Sequence, residues 1–253
     1  MITDPTKRFT DRVANYAKYR PTYPDEVIQF LKKAGKLSDD AAIADIGAGT
    51  GIFSNLLLNH GYTVFAVEPN QAMQQEAKQW LGANKKYTAI DAIAEATTLP
   101  TKSIDLVTCA QAFHWFNADR ARFEFKRILH DDGHVALIWN NRSTTADAFS
   151  MAYEKLLKHD MVDYDKVNHR NITEINFKAF FKNGEYQIAK YPNSQVFDED
   201  GLMGRAFSSS YVPAQNSESG KNFRTLLKAI FDKYNTDGKV SFHYETEIYF
   251  GKV

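Results

Sequence analysis

Residues 45–51 read Asp-Ile-Gly-Ala-Gly-Thr-Gly, and this alternation of glycines constrains the fold more tightly than any other stretch. Ahead of it, Ala42-Ile43-Ala44-Asp45-Ile46 is a short, mostly apolar run of the kind that forms a strand buried on both faces. Behind it, Ile52, Phe53, Leu56 and Leu57 recur with helical spacing, and Gly61 stands where that helix would end. Strand, glycine turn and helix make the first half of a βαβ unit. Glycine permits positive φ and removes the Cβ that would hold a ligand away from the backbone. The turn also presents the free N–H groups of a helix N-terminus.

The same rhythm continues downstream. Thr63-Val64-Phe65-Ala66-Val67 reads as a second strand, and Met73, Ala77, Trp80 and Leu81 fall on one face of a helix. A weaker strand follows around Tyr87–Ile90, and a clear one spans Ile104–Ala110. Asn117 is placed to cap a helix with an inner face of Ala121, Phe125, Ile128 and Leu129. Gly133 is expected to end it, before a fifth strand at His134–Trp139. Strands alternating with helices imply a doubly wound parallel sheet. Beyond residue 142 the rhythm stops. Residues 143–182 read as helices rich in Tyr and Phe, and 186–197 as a strand. Val240, Phe242, Tyr244, Thr246, Ile248 and Phe250 then alternate with their neighbours as in an antiparallel strand. The expected organisation is an arm over 1–36, a Rossmann-like core over 37–142, a helical cap over 143–185, and a return to the sheet over 186–253.

Composition narrows the function classes. Among 253 residues, 31 Lys and Arg balance 31 Asp and Glu, so the basic excess of a general nucleic-acid binder is missing. Cys109 is the only cysteine, which excludes intrachain disulfides and cysteine-based zinc sites, and no metal site is expected. No apolar run approaches the ~20 residues that span a bilayer, and residues 1–8 lack the apolar core of a signal peptide. A cytoplasmic protein with no membrane or nucleic-acid partner is expected, as monomer or dimer. The charge is unevenly placed. Residues 1–36 carry eight basic and four acidic side chains, and residues 37–150 carry nine and thirteen. A basic arm precedes an acidic segment.

Glu68 stands at the end of the second strand, where a carboxylate can accept hydrogen bonds from both hydroxyls of an adenosine ribose. A surface glutamate is the plain alternative. Dinucleotide folds use the spacing G-x-G-x-x-G, whereas this chain has G-x-G-x-G preceded by Asp45. A carboxylate there repels phosphate and suits a cationic amino group. S-adenosylmethionine carries an ammonium, a sulfonium and no phosphate, so charge complementarity favours it over a dinucleotide. A dinucleotide-dependent oxidoreductase, a non-catalytic S-adenosylmethionine or S-adenosylhomocysteine sensor, and a nucleic-acid methyltransferase are the competing readings.

Four stretches carry a family resemblance: Tyr16-Ala17-Lys18-Tyr19-Arg20-Pro21-Thr22-Tyr23-Pro24, the glycine turn, Ala94-Glu95-Ala96-Thr97-Thr98-Leu99-Pro100, and Ala110-Gln111-Ala112-Phe113-His114-Trp115-Phe116. The chain resembles class I S-adenosylmethionine-dependent methyltransferases of the methyltransferase type 11 group, within it the trans-aconitate methyltransferase-like small-molecule enzymes. The resemblance implies a seven-stranded mixed sheet, with a helical lid before it and a helical cap inserted after its fifth strand. It implies that S-adenosylmethionine is held by the turn Asp45, Gly47, Ala48, Gly49, Thr50 and Gly51. Glu68 would take the ribose, Pro69 and Met73 would lie near the adenine, and Ala94 and Glu95 would offer it backbone groups. Gln111 would give a backbone carbonyl to the ammonium, beside Ala112. Relatives place Asp just before the Ala-Glu pair to bind the adenine amino group; here that position is Ile93, with Asp91 two residues earlier. The product would be S-adenosylhomocysteine and the acceptor a small organic molecule methylated on O, N or C.

The arm has two readings. Phe9, Tyr16, Tyr19 and Tyr23 either anchor a helix, or wall off water while Lys18 or Arg20 meets the cofactor carboxylate; the planar fork of arginine favours Arg20. His114 is either a satisfied imidazole or a base or anchor for the acceptor. Tyr23, Trp115, Arg142 and Tyr211 are expected around the acceptor, Tyr211 within Ser208-Ser209-Ser210-Tyr211-Val212-Pro213 and Arg142 as partner of an acidic group. A solvated Arg142 is the alternative. Tyr153, Tyr164, His169 and Arg170 have no assigned place.

Overall fold

Apolar runs that must be covered on both sides become neighbouring parallel strands. In a computed structural model describing residues 13–161, 164 and 172–253, five such strands run parallel. They are β1 (Ala42–Ile46), β2 (Thr63–Val67), β3 (Tyr87–Ile90), β4 (Ile104–Ala110) and β5 (Leu129–Arg142). Two long strands, β6 (Gln187–Phe197) and β7 (Val240–Gly251), complete the sheet, with β7 antiparallel to both β5 and β6. The order is β3-β2-β1-β4-β5-β7-β6, the expected seven-stranded mixed sheet. Phe9, His169 and Arg170 lie outside the described residues.

Side chains on successive strand positions point to opposite faces, and each face has its own helices. Ile43, Leu106, Ala136 and Ile138 pack with Val27, Ile28 and Leu31 of α2 (Glu26–Gly35) and Phe53 and Leu57 of α3 (Ile52–Asn59). Across the sheet, Ala44, Val107, Val135 and Leu137 meet Ala121, Phe125 and Ile128 of α5 (Ala118–Ile128) and Phe177 and Phe180 of α7 (Glu174–Phe180). Along the β2–β3 side lies α4 (Gln71–Leu81), burying Met73, Ala77 and Leu81.

A third core sits beyond the sheet's end. There α6 (Ala148–Asp160), α8 (Glu199–Phe207) and α9 (Glu218–Tyr234) enclose Tyr153, Leu157, Leu202, Phe223 and Leu227, with Phe197, Phe242 and Tyr244 from β6 and β7. Residues 143–185 therefore divide between two cores: α6 belongs to this cluster, and α7 packs on the sheet. The first described helix, α1 (Val13–Tyr19), lies against α8 and α4. Its exit is fixed by amides from the long strands. Asn193 and Asn140 both donate to the Thr22 carbonyl, at 2.8 and 3.1 Å, and Gln195 donates to that of Tyr19 at 3.2 Å.

Two local expectations are corrected. Gly133 does not end α5: the helix stops at Ile128, Leu129 is already extended, and residues 130–133 fit between the strand pairs Ile104–Leu129 and Leu106–His134. A Cβ on Gly133 would stand 2.9 Å from the Leu129 side chain, so its glycine serves this bend. Trp80 is 46% exposed rather than core, because its indole N–H reaches out to the Thr50 carbonyl at 2.9 Å and braces the glycine turn. Among the described residues no helix is long and apolar enough to cross a membrane.

The contact of α1 with α8 is built on Gly204, where an added Cβ would fall inside the Tyr19 ring. Gly204→Val is expected to destabilise the fold by about 1–3 kcal/mol, the usual range for overpacking, and to expose α1 to limited proteolysis. Intact resistance at α1 would show that the helix is held elsewhere.

Candidate active site

The carboxyl ends of β1, β2 and β4 open into a cavity of about 290 Å³, between the sheet edge, α1 and the third core. Open α/β sheets bind their ligands at this edge. The glycine turn forms one wall. Gly47 and Gly49 have φ of +71° and +57°, and a Cβ on Gly47 would come 2.5 Å from that of Ala112. At Gly49 the space is open, the nearest atom being Met73 Sδ at 3.8 Å. Gly51 is the member of the turn that does not line the cavity. It has φ +82°, precedes α3 and packs against Leu81 and Ala77 of α4, so its role is in seating the helix.

Asp45 is fully buried, and its two oxygens accept from Ser54 Oγ of α3 at 2.6 Å and Thr108 Oγ1 of β4 at 3.1 Å. Burial pushes its pKa up to about 6, against the opposing effect of those two hydroxyls. Glu68 accepts from the backbone N–H of Gly49 at 2.9 Å and of Asn70 at 2.8 Å. Burial raises its pKa too, and the same N–H groups oppose the rise. Two carboxylates thus face one cavity, one at each side of the turn. Asn70 caps α4 by accepting from Met73 N–H at 3.1 Å.

Pro69, Met73, Ala94 and Glu95 also line the cavity. The Glu95 side chain accepts from Asn117 N–H at 2.7 Å, leaving its main chain for the cavity. Ile93 lines the cavity at 46% exposure, and Asp91 is not on its wall. Gln111 and Ala112 follow β4. Gln111 holds a left-handed φ of +58°, uncommon for a non-glycine residue, secured by its N–H to the Ile138 carbonyl at 2.8 Å and its amide to that of Asn140 at 3.2 Å.

The cavity also brings together Arg20, Tyr23, His114, Trp115, Arg142 and Tyr211. The arm's two candidate partners for the carboxylate separate here: Lys18 is exposed, while Arg20 lines the cavity beneath the Tyr16 ring, 4.7 Å from its centroid. Arg20 Nη2 donates to the Ser208 carbonyl at 3.0 Å, but its Nε is buried without a partner. Burial and then the nearby Arg205 lower its pKa. Thr50 Oγ1 is likewise buried without a partner. Tyr23 is fixed edge-on to Phe53, 5.0 Å between ring centroids. At His114, Nδ1 accepts from the Trp139 indole at 3.5 Å. The indole N–H is the donor in that contact.

Comparison with known proteins agrees with this layout. The family model described as a methyltransferase domain matches residues 44–137. An uncharacterized methyltransferase of Schizosaccharomyces pombe is 27% identical over 255 residues, 96% of each chain. A second protein of that yeast, described as methyltransferase-like, is 33% identical over 143 residues, and there the match spans only 54% of its length. Residues 44–137 are thus similar to a methyltransferase domain, and the seven-stranded mixed sheet matches class I methyltransferase structures. Solved structures share the fold: one from Anaeromyxobacter dehalogenans described as a type II methyltransferase has a TM-score of 0.66 at 22% identity, covering 92% of this chain and 98% of that one. A phosphoethanolamine N-methyltransferase of Haemonchus contortus has a TM-score of 0.55 at 16% identity, covering 98% of this chain and 58% of that one.

Several residues of the cavity wall are not announced by the sequence. Arg205 and Tyr244 come from α8 and β7, and Asn70 and Phe53 from helix starts. Tyr164, unplaced in the sequence, also lines the cavity. Arg142 is not an open anion partner. Its Nη2 donates to Glu154 at 2.6 Å and to Tyr164 Oη at 3.2 Å, so its charge is matched within the cap. Tyr153 is buried in the third core.

Gly47→Ala is expected to be worse than Gly49→Ala, because only the former combines positive φ with a 2.5 Å approach. A cost of about 1–3 kcal/mol is expected from overpacking at Gly47, read as a lower melting temperature. Equal losses at the two positions would mean that φ alone matters.

Proposed function

We propose that the cavity binds S-adenosylmethionine and that the enzyme transfers its methyl group to O, N or C of a small organic acceptor. The observation that carries this reading is a Cβ-free turn flanked by two buried carboxylates, Asp45 and Glu68, facing one cavity. Such a site repels pyrophosphate and favours a ligand with an ammonium and two ribose hydroxyls. Two buried orphans, Thr50 Oγ1 and Arg20 Nε, are polar groups of the kind a ligand satisfies. The Haemonchus contortus enzyme is described in complex with S-adenosylhomocysteine, which supports the cofactor class on this fold.

Roles follow from position. Glu68, oriented by the Gly49 and Asn70 N–H groups, would accept from the ribose hydroxyls with its remaining lone pairs. Asp45 and the Gln111 carbonyl would hold the ammonium, and Arg20 the carboxylate. Adenine would lie by Pro69 and Met73 and be read by the Ala94 and Glu95 main chain, with Ile93 as an apolar wall in place of a carboxylate. When bound, the cofactor supplies an electrophilic methyl on a sulfonium leaving group. The chain's own task is then alignment and exclusion of water, which supply much of the acceleration. Tyr16, Tyr23, Trp115 and Tyr211 line the cavity and would help keep water from the reacting atoms. His114 lines the same cavity, where it would serve as a base or an anchor for the acceptor.

Thermal-shift comparison of S-adenosylmethionine, S-adenosylhomocysteine and NAD tests the cofactor. A ligand at 100 times its dissociation constant stabilises by about 2.7 kcal/mol. Stabilisation by NAD and by neither adenosyl compound would sink the reading. Arg20→Ala is expected to weaken both adenosyl compounds.

The buried Asp45 adds a pH signature. Its pKa of about 6 in the protein lies above the ordinary value, and an ammonium favours its ionised form. Affinity should therefore be highest near neutrality, fall towards a limit of about tenfold per pH unit below 6, and weaken again at alkaline pH where the ammonium loses its proton. Calorimetry across the acid side of that range checks this, with Asp45→Asn expected to be weak and nearly flat there. A flat wild-type profile there would remove Asp45 as the ammonium's partner.

A further inference from the structure

Three arginines reach the cap side of the cavity, and they are not equivalent. Arg142 is neutralised by Glu154. Arg20, on the arm, is assigned above to the cofactor's carboxylate. Arg205 is left. It is 6% exposed, and among the described residues no carboxylate reaches it. Its hydrogen bonds are long and go to neutral groups, Tyr244 Oη and Ser209 Oγ, each at 3.3 Å. Phe242 lies beneath it, with the ring centroid 5.7 Å from Cζ. A buried guanidinium supported only in this way is expensive to maintain, whereas a carboxylate would match its planar donor fork.

The surroundings limit what that carboxylate can belong to. Tyr164, Tyr211 and Tyr244 share the cavity wall with Arg205, and Trp115 stands among the residues after β4. These are flat apolar surfaces with hydroxyl rims, suited to a ring or hydrocarbon body. A second carboxylate on the same molecule would find Arg142 already paired and would face the Glu154 carboxylate behind it.

We infer that Arg205 anchors a single carboxylate of the methyl acceptor, and that the acceptor is a monocarboxylic acid with an aromatic or apolar body. This rests on the methyltransferase reading above, and Arg205 sets specificity rather than performing the transfer.

The test uses the full chain saturated with S-adenosylhomocysteine. Thermal shift is followed with 3-phenylpropanoate, decanoate, citrate and the neutral 3-phenylpropanamide. Either monoacid should stabilise the complex, and the amide and citrate should not. Arg205→Gln should weaken the monoacids by at least about tenfold, the loss of one charge-assisted pair, with S-adenosylhomocysteine affinity unchanged. Arg205→Lys, which keeps the charge but not the fork, should fall between. Three results would overturn the proposal: amide binding equal to acid, stabilisation by citrate alone, or by none of the probes. Loss of S-adenosylhomocysteine affinity in a folded Arg205→Gln also overturns it, because the carboxylate would then be the cofactor's. Should Arg205→Gln not fold, the acid and amide comparison on the wild type decides alone. Failure of S-adenosylhomocysteine to bind the wild type would instead refute the cofactor reading, and is scored before any acid is added.

Discussion

Asp45 holds the site together through what its burial demands. An ionisable group at zero exposure must find hydrogen-bond donors, and it finds one on α3 and one on β4. Strand β1, the helix after the glycine turn and the neighbouring strand are thereby tied at the point where the sheet edge opens. The turn between them has little freedom left. Its outer side is braced by Trp80 on the Thr50 carbonyl, and its inner side by Glu68 on the Gly49 N–H. The same carboxylates that fix the turn face the cavity, so structural anchoring and ligand selection draw on the same charges.

The second organising element is β7, which serves two cores along its length. Its C-terminal half, Ile248 and Phe250, belongs to the sheet's core with α2 and α3. Its N-terminal half, Val240, Phe242 and Tyr244, belongs to the core of α6, α8 and α9. Pairing with β6 runs without interruption from Gln187–Phe250 to Phe197–Val240. The core of α6, α8 and α9 is therefore joined to the sheet by a continuous ladder rather than a linker. Tyr244 sits on the cavity side of that ladder and carries Arg205 through its hydroxyl, while Gln195 next to it holds the arm. Arm, cap and sheet meet through β6 and β7.

The core was legible because its signals are local. β1 and β2 carry the bounds read from their apolar runs, Asn117 caps α5 through Arg120 N–H at 3.1 Å, and Gly61 follows α3 with φ +88°. The cap was not, for physical reasons visible in α8. That helix has nine residues and holds two glycines, which read as loop. They are there because Tyr19 covers Gly204 and Phe197 covers Gly201, partners too distant in sequence to foresee. Helix α9 does carry a local signal, Phe223, Leu227 and Phe231 at helical spacing behind a Ser217 cap. Site residues divide the same way. The turn, Glu68 and the Gln111 segment announce themselves by spacing, whereas Arg205 is an ordinary helical arginine until the fold buries it.

Regional charge totals prove a poor guide to the field in the cavity. Exposed charges more than about 10 Å apart are largely screened, and most of the arm's described cations do not line the cavity. Lys18 is exposed, and of the arm's described cations Arg20 alone lines the wall. The other two arginines come from the acidic segment and from the neutral remainder. Arg142 then drops out through its pairing with Glu154. What remains is polar: carboxylates on the sheet side and two guanidinium groups on the arm and cap side. Under the proposed function a zwitterionic cofactor would lie across that polarity with its ammonium towards the sheet and its carboxylate towards the arm. It would satisfy one guanidinium and leave the second, on α8, to the acceptor.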